Sequence, residues 1–116
     1  NNKANYSAQD VKKSSKILEE NGMQPNIMID ASHANSNKNY KMQSKVVADV
    51  RNQLLSGEKN IIGIMLESNL VEGNQQIDTR DKLIYGKSVT DSCIGWVETE
   101  EIITELDETL KKVYEN

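Results

Sequence analysis

The chain has 116 residues, a formal net charge of -4, 36% apolar residues and a mean hydropathy of -0.67. This length fits one small domain or part of a larger one, and the apolar share lies below the usual about 45–50% even when glycine is added. The negative charge and the lack of a Lys/Arg cluster argue against a nucleic-acid partner. A single cysteine excludes an internal disulfide bond.

Targeting features are not visible in the sequence. No apolar run is long enough to span a membrane, and no signal-peptide pattern is present, so we expect a cytoplasmic protein without a membrane partner. The chain starts at Asn1 without a methionine and leads almost directly into a helix. We therefore expect a segment of a longer protein.

Helical and strand-like segments alternate along the chain. The predicted elements are, in order, a helix at 7–21, a strand at 26–30, a helix at 39–56, a strand at 61–66, a strand at 89–94 and a last helix to about 113. Ser7 with Asp10 resembles a capping box, and Thr99 is the predicted cap of the last helix. Residues 69–87 form a connection far longer than the usual about 4–6 residues.

Strands that alternate with helices indicate an α/β fold with a parallel sheet. In such folds, functional side chains gather at the carboxyl ends of the strands. His33, Glu67 and Asp91 lie at or near the ends of the three predicted strands. We therefore expect these three side chains to form one site.

One imidazole and two carboxylates suit Mn, Fe, Co or Zn better than calcium, which prefers oxygen ligands alone. A cation held in this way can polarise a carbonyl group. The alternatives are that His33 is a hydrogen-bonded structural residue and that Glu67 forms an ion pair with Lys59 or Arg51. Cys93 is expected to be a small buried thiol rather than a ligand.

Three long motifs carry a resemblance to a known family. Residues 29–36 (IDASHANS), 63–75 (GIMLESNLVEGNQ) and 85–96 (YGKSVTDSCIGW) strongly resemble the microbial class I 3-deoxy-D-arabino-heptulosonate 7-phosphate (DAHP) synthases. The match covers nearly the whole chain. The resemblance implies that residues 1–116 are the C-terminal portion of a single (β/α)8 TIM-barrel domain and carry its last three strands and helices.

The resemblance also implies an activity. The family condenses phosphoenolpyruvate with erythrose 4-phosphate to DAHP and phosphate, the first step of the shikimate pathway to chorismate and the aromatic amino acids. It is a metal-dependent, aldol-type transferase that uses a divalent metal. By this resemblance His33, Glu67 and Asp91 are metal ligands, and His33 and Asp91 also act in catalysis. Ser32 and Asn35 are candidate substrate-binding residues, unless they only shape the loop beside His33.

The family's cysteine ligand and its phosphate-binding Lys-Pro-Arg-Thr motif lie upstream of the matched motifs. We therefore expect the chain alone to be inactive. The alternative is a non-catalytic scaffold or oligomerisation module that retains the last strands of the barrel, and a third hypothesis is another metal-dependent aldolase or isomerase on a similar barrel. Because unpaired strand edges favour association, we expect a homo-oligomer.

Overall fold

The structure is a computed structural model that describes residues 3–115. The helices within this range are α1 (Ala8–Glu20), α2 (Gln43–Leu55) and α3 (Trp96–Tyr114). The strands are β1 (Ile27–Asp30), β2 (Ile61–Met65), β3 (Val71–Asn74) and β4 (Lys87–Ser88). Short 3-10 helices occupy His33–Ser36, Tyr40–Met42 and Arg80–Lys82.

The first two strands form a parallel pair with α2 as the crossover between them. Ile29 pairs with Ile64 and Asp30 with Met65, so the two strands end at the same edge. This pair confirms the α/β character that the alternation of helices and strands predicts. Polar residues that follow β1 and β2 therefore start from neighbouring positions.

All three helices contribute to a core on one face of the β1–β2 pair. Its buried residues are Val11, Ile29, Ala31, Val46, Val47, Val50, Leu54, Ile61, Ile94 and Ile102. The other face is apolar but exposed, since Met28 keeps 64% and Met65 keeps 42% of its accessible surface. Removing such apolar surface from water is favourable, so this bare face is a physical feature that any larger assembly would cover.

The start of α1 agrees with the predicted capping box. The Ser7 hydroxyl oxygen accepts a hydrogen bond from the Asp10 backbone N–H, and the hydroxyl donates to the Asp10 carboxylate. This exchange satisfies one of the N–H groups that a helix leaves unpaired in its first turn. Val11, directly behind the cap, is buried and joins the core.

The predicted third strand at 89–94 is wrong. Strand β4 comprises only Lys87 and Ser88, and it pairs in parallel with β3, which lies inside the predicted connection 69–87. Residues 89–95 make only isolated bridges, at Cys93 and Ile94. The physical reason is that side chains pair with the N–H and the carbonyl of Thr90, which a strand at 89–94 would use for its sheet hydrogen bonds. The Ser88 hydroxyl accepts from Thr90 N–H, and the Asn74 amide donates to the Thr90 carbonyl.

The predicted cap at Thr99 is also wrong, because α3 begins at Trp96 with Gly95 as its N-cap. Thr99 is a buried first-turn residue whose hydroxyl donates to the Gly95 carbonyl, four residues earlier. Its oxygen is paired with the Ser68 hydroxyl, which ties α3 to the segment after β2. Among residues 3–115, no helix combines the length and the apolar character needed to cross a membrane.

Candidate metal centre

His33, Glu67 and Asp91 converge after β1, β2 and β4. The His33 Nε2 atom lies 3.9 Å from Glu67 Oε1 and 3.7 Å from Asp91 Oδ2. One ligand atom from each of the three side chains lies within 4.8 Å of the other two. The convergence of these three residues, expected from the strand-end pattern, is therefore present in the fold.

His33 has an unusual backbone conformation. Its φ angle is 51°, in the left-handed region that residues other than glycine seldom adopt. The backbone carbonyl of His33 accepts hydrogen bonds from Lys38 N–H at 2.7 Å and from the Ser36 hydroxyl at 3.3 Å. These contacts stabilise the unusual backbone conformation of His33. Strained backbone of this kind clusters at functional sites.

A local hydrogen-bond network holds the His33 ring from behind. The Nδ1 atom lies 2.8 Å from Asp30 Oδ2 and 2.9 Å from the Ser32 hydroxyl oxygen. The other Asp30 oxygen accepts from both the backbone N–H and the hydroxyl of Ser32. The Asn35 side chain donates to the Asp30 carbonyl and accepts from Asn5 N–H. Ser32 is buried, and both Ser32 and Asn35 are occupied by contacts within the loop.

Glu67 is held through its backbone, which leaves its carboxylate free to face His33. The buried Gln43 side chain accepts from Glu67 N–H at 2.9 Å and donates to the Glu67 carbonyl at 3.0 Å. The same carbonyl also accepts from Ile94 N–H at 3.0 Å. Helix α2 and the segment before α3 therefore set the position of Glu67 together.

Asp91 lies in a loop that is anchored on β3. Gly73 and Cys93 exchange two backbone hydrogen bonds, at 2.8 and 3.1 Å. The Asn74 side chain donates to the Thr90 carbonyl, one residue before Asp91. The long connection at 69–87, which contains β3, therefore holds the loop of the third candidate ligand, Asp91.

The charges of the site shift the pKa values of its members. The hydrogen bond and the negative charge of Asp30 raise the pKa of His33, and Glu67 and Asp91 add to this effect. Burial raises the pKa of Glu67, and the nearby carboxylates of Asp91 and Asp30 raise it further against the opposing effect of His33. The carboxylates of Glu67 and Asp91 both lie beside His33 Nε2, and this concentration of negative charge favours a cation.

A cavity of about 110 Å³ opens onto the three residues, and its lining consists of His33, Lys38, Glu67, Asn74, Asp91 and Ser92. Lys38 and Asn74 were not predicted as site residues. Lys38 belongs to a polar loop and Asn74 to a predicted connection, so no pattern in the sequence brings either one to the strand ends. The roles of Asp30 and Gln43 were also not predicted, although Asp30 precedes His33 by only three residues.

The alternative ion pairs for Glu67 do not form. Arg51 contacts Glu105 at 3.0 Å and Thr109 at 2.9 Å, on the side of α3. The Lys59 ammonium lies over the Tyr114 ring, 5.4 Å from its centroid. Cys93 is a buried thiol, and burial raises its pKa, as expected for a residue that packs rather than ligates.

The donor set fits a divalent transition metal. Protein nitrogen and oxygen ligands lie about 2.0–2.2 Å from an ion such as Zn²⁺, so two donors 3.7 or 3.9 Å apart can both reach one ion. An imidazole with two carboxylates is a combination used for divalent transition metals in proteins. The side chains keep 48% exposure at His33, 27% at Glu67 and 50% at Asp91, so an ion has access from the cavity.

Comparisons with known proteins identify the family to which this chain is similar. Residues 1–104 match the model of the DAHP synthetase I family. The Phe-sensitive phospho-2-dehydro-3-deoxyheptonate aldolase of Escherichia coli K12 is 49% identical over 107 residues, which cover 92% of this chain and 31% of that protein. The phospho-2-dehydro-3-deoxyheptonate aldolase of Haemophilus influenzae is 46% identical over 106 residues, covering 91% and 29%.

A solved structure is similar over the same extent. The structure of phospho-2-dehydro-3-deoxyheptonate aldolase from Francisella tularensis SCHU S4 superposes with a TM-score of 0.90 at 37% identity, covering 96% of this chain and 32% of that one. The chain therefore spans less than a third of the length of these relatives. The family match covers most of the chain and leads to one assignment. The chain belongs to the DAHP synthetase I family.

Proposed function

We propose that this chain supplies the metal-binding part of a DAHP synthase, which condenses phosphoenolpyruvate with erythrose 4-phosphate to DAHP and phosphate. In this role it serves the first step of aromatic amino acid biosynthesis. The observation that carries the proposal is the convergence of His33, Glu67 and Asp91 in a chain of this family.

We further propose that residues 1–116 belong to one TIM-barrel domain and form its last three strands and helices. Residues 1, 2 and 116 lie outside the described part of the chain. The bare apolar face around Met28 and Met65 supports this proposal, because the inner side of a barrel is filled by side chains of the other strands. The helices cover the opposite face, as they do on the outside of a barrel.

The proposed site gives each residue a task. His33, Glu67 and Asp91 bind a divalent metal, which is Mn, Fe, Co or Zn, and a bound cation would polarise the aldehyde carbonyl of erythrose 4-phosphate. We also propose that His33 and Asp91 act in catalysis, since both line the cavity in which the substrates would react. Ser32 and Asn35 remain substrate-side candidates, although their hydrogen bonds support the alternative that they shape the loop.

The remaining parts of the synthase come from outside the three motifs. We propose that a cysteine and the basic groups that hold the two phosphates are supplied by the preceding part of the barrel, so that the chain by itself is inactive. The assembled enzyme is proposed to be a cytoplasmic homo-oligomer without nucleic-acid or membrane partners. The net charge of -4 supports the absence of a nucleic-acid partner.

A chimera tests this function directly. The segment of the E. coli Phe-sensitive relative that aligns with this chain is replaced by residues 1–116, and phosphate release from phosphoenolpyruvate and erythrose 4-phosphate is measured with Mn²⁺ present. We expect activity in the chimera and its loss in the same chimera with His33→Ala. Glu72→Gln serves as a control, because Glu72 lies outside the ligand group.

The scaffold hypothesis gives the opposite result. A chimera that folds and binds both substrates but releases no phosphate would contradict the proposed function. The bare apolar face would then be the main functional feature, and the chain would act as a non-catalytic assembly module. Turnover only with another aldehyde or keto substrate would favour a different metal-dependent aldolase or isomerase.

A further inference from the structure

The hydrogen bonds behind His33 determine which ring nitrogen can bind a metal. We propose that Asp30 is a positioning residue that holds His33 in the Nδ1–H tautomer, so that Nε2 remains the ligating atom. This inference rests on the proposed metal site and deepens it by a residue outside the ligand group. Asp30 is the last residue of β1, so its carboxylate is anchored on the sheet.

The first step concerns the pair Asp30–His33. The Nδ1 atom and Asp30 Oδ2 are 2.8 Å apart, which is hydrogen-bond distance. An ionised carboxylate only accepts hydrogen bonds, so the hydrogen between the two atoms belongs to Nδ1. In a neutral imidazole the other nitrogen then carries a free lone pair.

The second step concerns Ser32, which contacts both groups. Its hydroxyl has one hydrogen, and Asp30 Oδ1 accepts that hydrogen. The Ser32 oxygen, 2.9 Å from Nδ1, therefore faces the ring as an acceptor. Both neighbours of Nδ1 are then acceptors, and both favour the same tautomer.

The third step concerns the opposite side of the ring. The Nε2 atom faces Glu67 Oε1 at 3.9 Å and Asp91 Oδ2 at 3.7 Å, on the cavity side. Metal-binding histidines in proteins commonly donate their other N–H to a carboxylate, which fixes the ring orientation and the tautomer. Asp30 supplies that carboxylate here, and it lies outside the three-residue ligand group.

Nuclear magnetic resonance can test the tautomer without assignment, because the chain contains a single histidine. The chain is labelled with ¹⁵N-histidine and measured without metal at a pH above the histidine pKa. We expect a protonated Nδ1 and an unprotonated Nε2 in the wild type. A predominant Nε2–H tautomer in the wild type would overturn the proposal, whatever the variants do.

Asp30→Ala removes the acceptor. Asp78→Ala is the matched control, since the contacts of Asp78 within residues 3–115 are with its local neighbours Thr79 and Lys82. We expect Asp30→Ala to shift the population toward the Nε2–H tautomer, which predominates in free histidine, and Asp78→Ala to leave it unchanged. Loss of packing alone would not move this signature. Wild-type nitrogen shifts in a folded Asp30→Ala chain would contradict the positioning role.

Mn²⁺ affinity gives the second readout. Loss of an outer-shell partner weakens metal binding by about 10–100-fold, so we expect this change in Asp30→Ala and none in Asp78→Ala. Equal affinities in the two variants would overturn the positioning role. In the chimera described above, which adds the preceding part of the barrel, the absence of Mn²⁺ binding with wild-type residues 1–116 would instead contradict the proposed metal site, and with it the ligand role of Nε2. The tautomer measurement without metal therefore distinguishes failure of the positioning role of Asp30 from failure of the proposed metal site.

Discussion

The side chain of Gln43 pairs with both backbone groups of Glu67, although the two residues lie 24 positions apart in the sequence. Gln43 is fully buried at the first position of α2. A glutamine amide offers one acceptor and two donor hydrogens. It can therefore pair with the N–H and the carbonyl of one residue, as the backbone of a neighbouring strand would. Helix α2 thereby reaches the ligand loop after β2 and sets the direction in which the Glu67 carboxylate points.

Replacing Gln43 tests this relationship. Gln43→Leu leaves the Glu67 N–H without its partner, and an unpaired buried group of this kind costs about 1–3 kcal/mol. We expect the free energy of unfolding to fall by that amount in urea titrations, and Mn²⁺ affinity to fall as well.

Gln53→Leu is the control for this experiment, since Gln53 is buried in the same helix but lies away from the site. Its amide nitrogen donates to the Tyr6 carbonyl, while its Oε1 has no hydrogen-bond partner in the described part of the chain. We expect the control to lose stability without any change in Mn²⁺ affinity. Equal metal affinity in both variants would show that Gln43 does not position Glu67.

The ligand assignment predicts unequal effects of two conservative substitutions in the same segment. Glu67→Gln removes a carboxylate from the site, and we expect Mn²⁺ binding to weaken at least about tenfold, which corresponds to about 1.4 kcal/mol. Glu72→Gln makes the same change outside the ligand group and leaves the affinity unaltered. Isothermal titration calorimetry measures both, and similar affinities in the two variants would refute the assignment.

His33 should titrate above its ordinary value of 6.5, because the Asp30 hydrogen bond and carboxylate charge raise its pKa. A proton on the imidazole excludes a metal ion, so Mn²⁺ affinity falls as the pH decreases through this raised pKa. The contribution of the charged pair to folding has the opposite sign. It is present below pH 6.5 and disappears as the pH rises through the raised pKa.

A proton NMR titration of the single histidine measures the pKa, and pH-dependent urea unfolding measures the linked stability. Asp30→Asn should lower the pKa toward the ordinary value, because it removes the charge of the partner. A wild-type midpoint at or below 6.5 would contradict the observed pairing of His33 with Asp30.

Gly86 tests the packing between the residue that precedes β4 and Leu70, the residue that precedes β3. Its φ angle is 79°, and an added Cβ would lie 2.8 Å from Leu70 Cβ and 3.0 Å from Leu70 Cδ1. Gly86→Ala should therefore lose about 1–2 kcal/mol from the left-handed backbone and about 1–3 kcal/mol more from the overlap with Leu70.

Gly22→Ala isolates the backbone contribution. Gly22 has a similar φ of 72°, and nothing lies within 4 Å of its added Cβ. Thermal unfolding should show a clearly larger loss of stability for Gly86→Ala than for Gly22→Ala. Equal losses would mean that Leu70 moves aside without cost and that its close contact with Gly86 does not constrain this part of the fold.

Much of this fold follows from local patterns in the sequence. The apolar periodicity of α2, the capping box of α1 and the apolar run of β2 predict elements within a few residues of their observed bounds. The position of polar residues at strand ends predicts the meeting of His33, Glu67 and Asp91. The local predictions succeed because they depend on the chemistry of neighbouring residues. The rule about parallel sheets covers His33 and Glu67, which follow the paired strands β1 and β2, whereas Asp91 follows β4 in a second sheet.

The tertiary structure decided the rest. Strand β3 exists because β4 and the loop at 89–95 bind its backbone, and no periodicity in 71–74 indicates this partner. The bond from Gln43 to Glu67 joins two elements whose separation is set only by packing of the core. The sequence by itself determined which side chains can bind a metal. Long-range hydrogen bonds decided how those side chains are held, because such bonds depend on where distant segments lie in the fold.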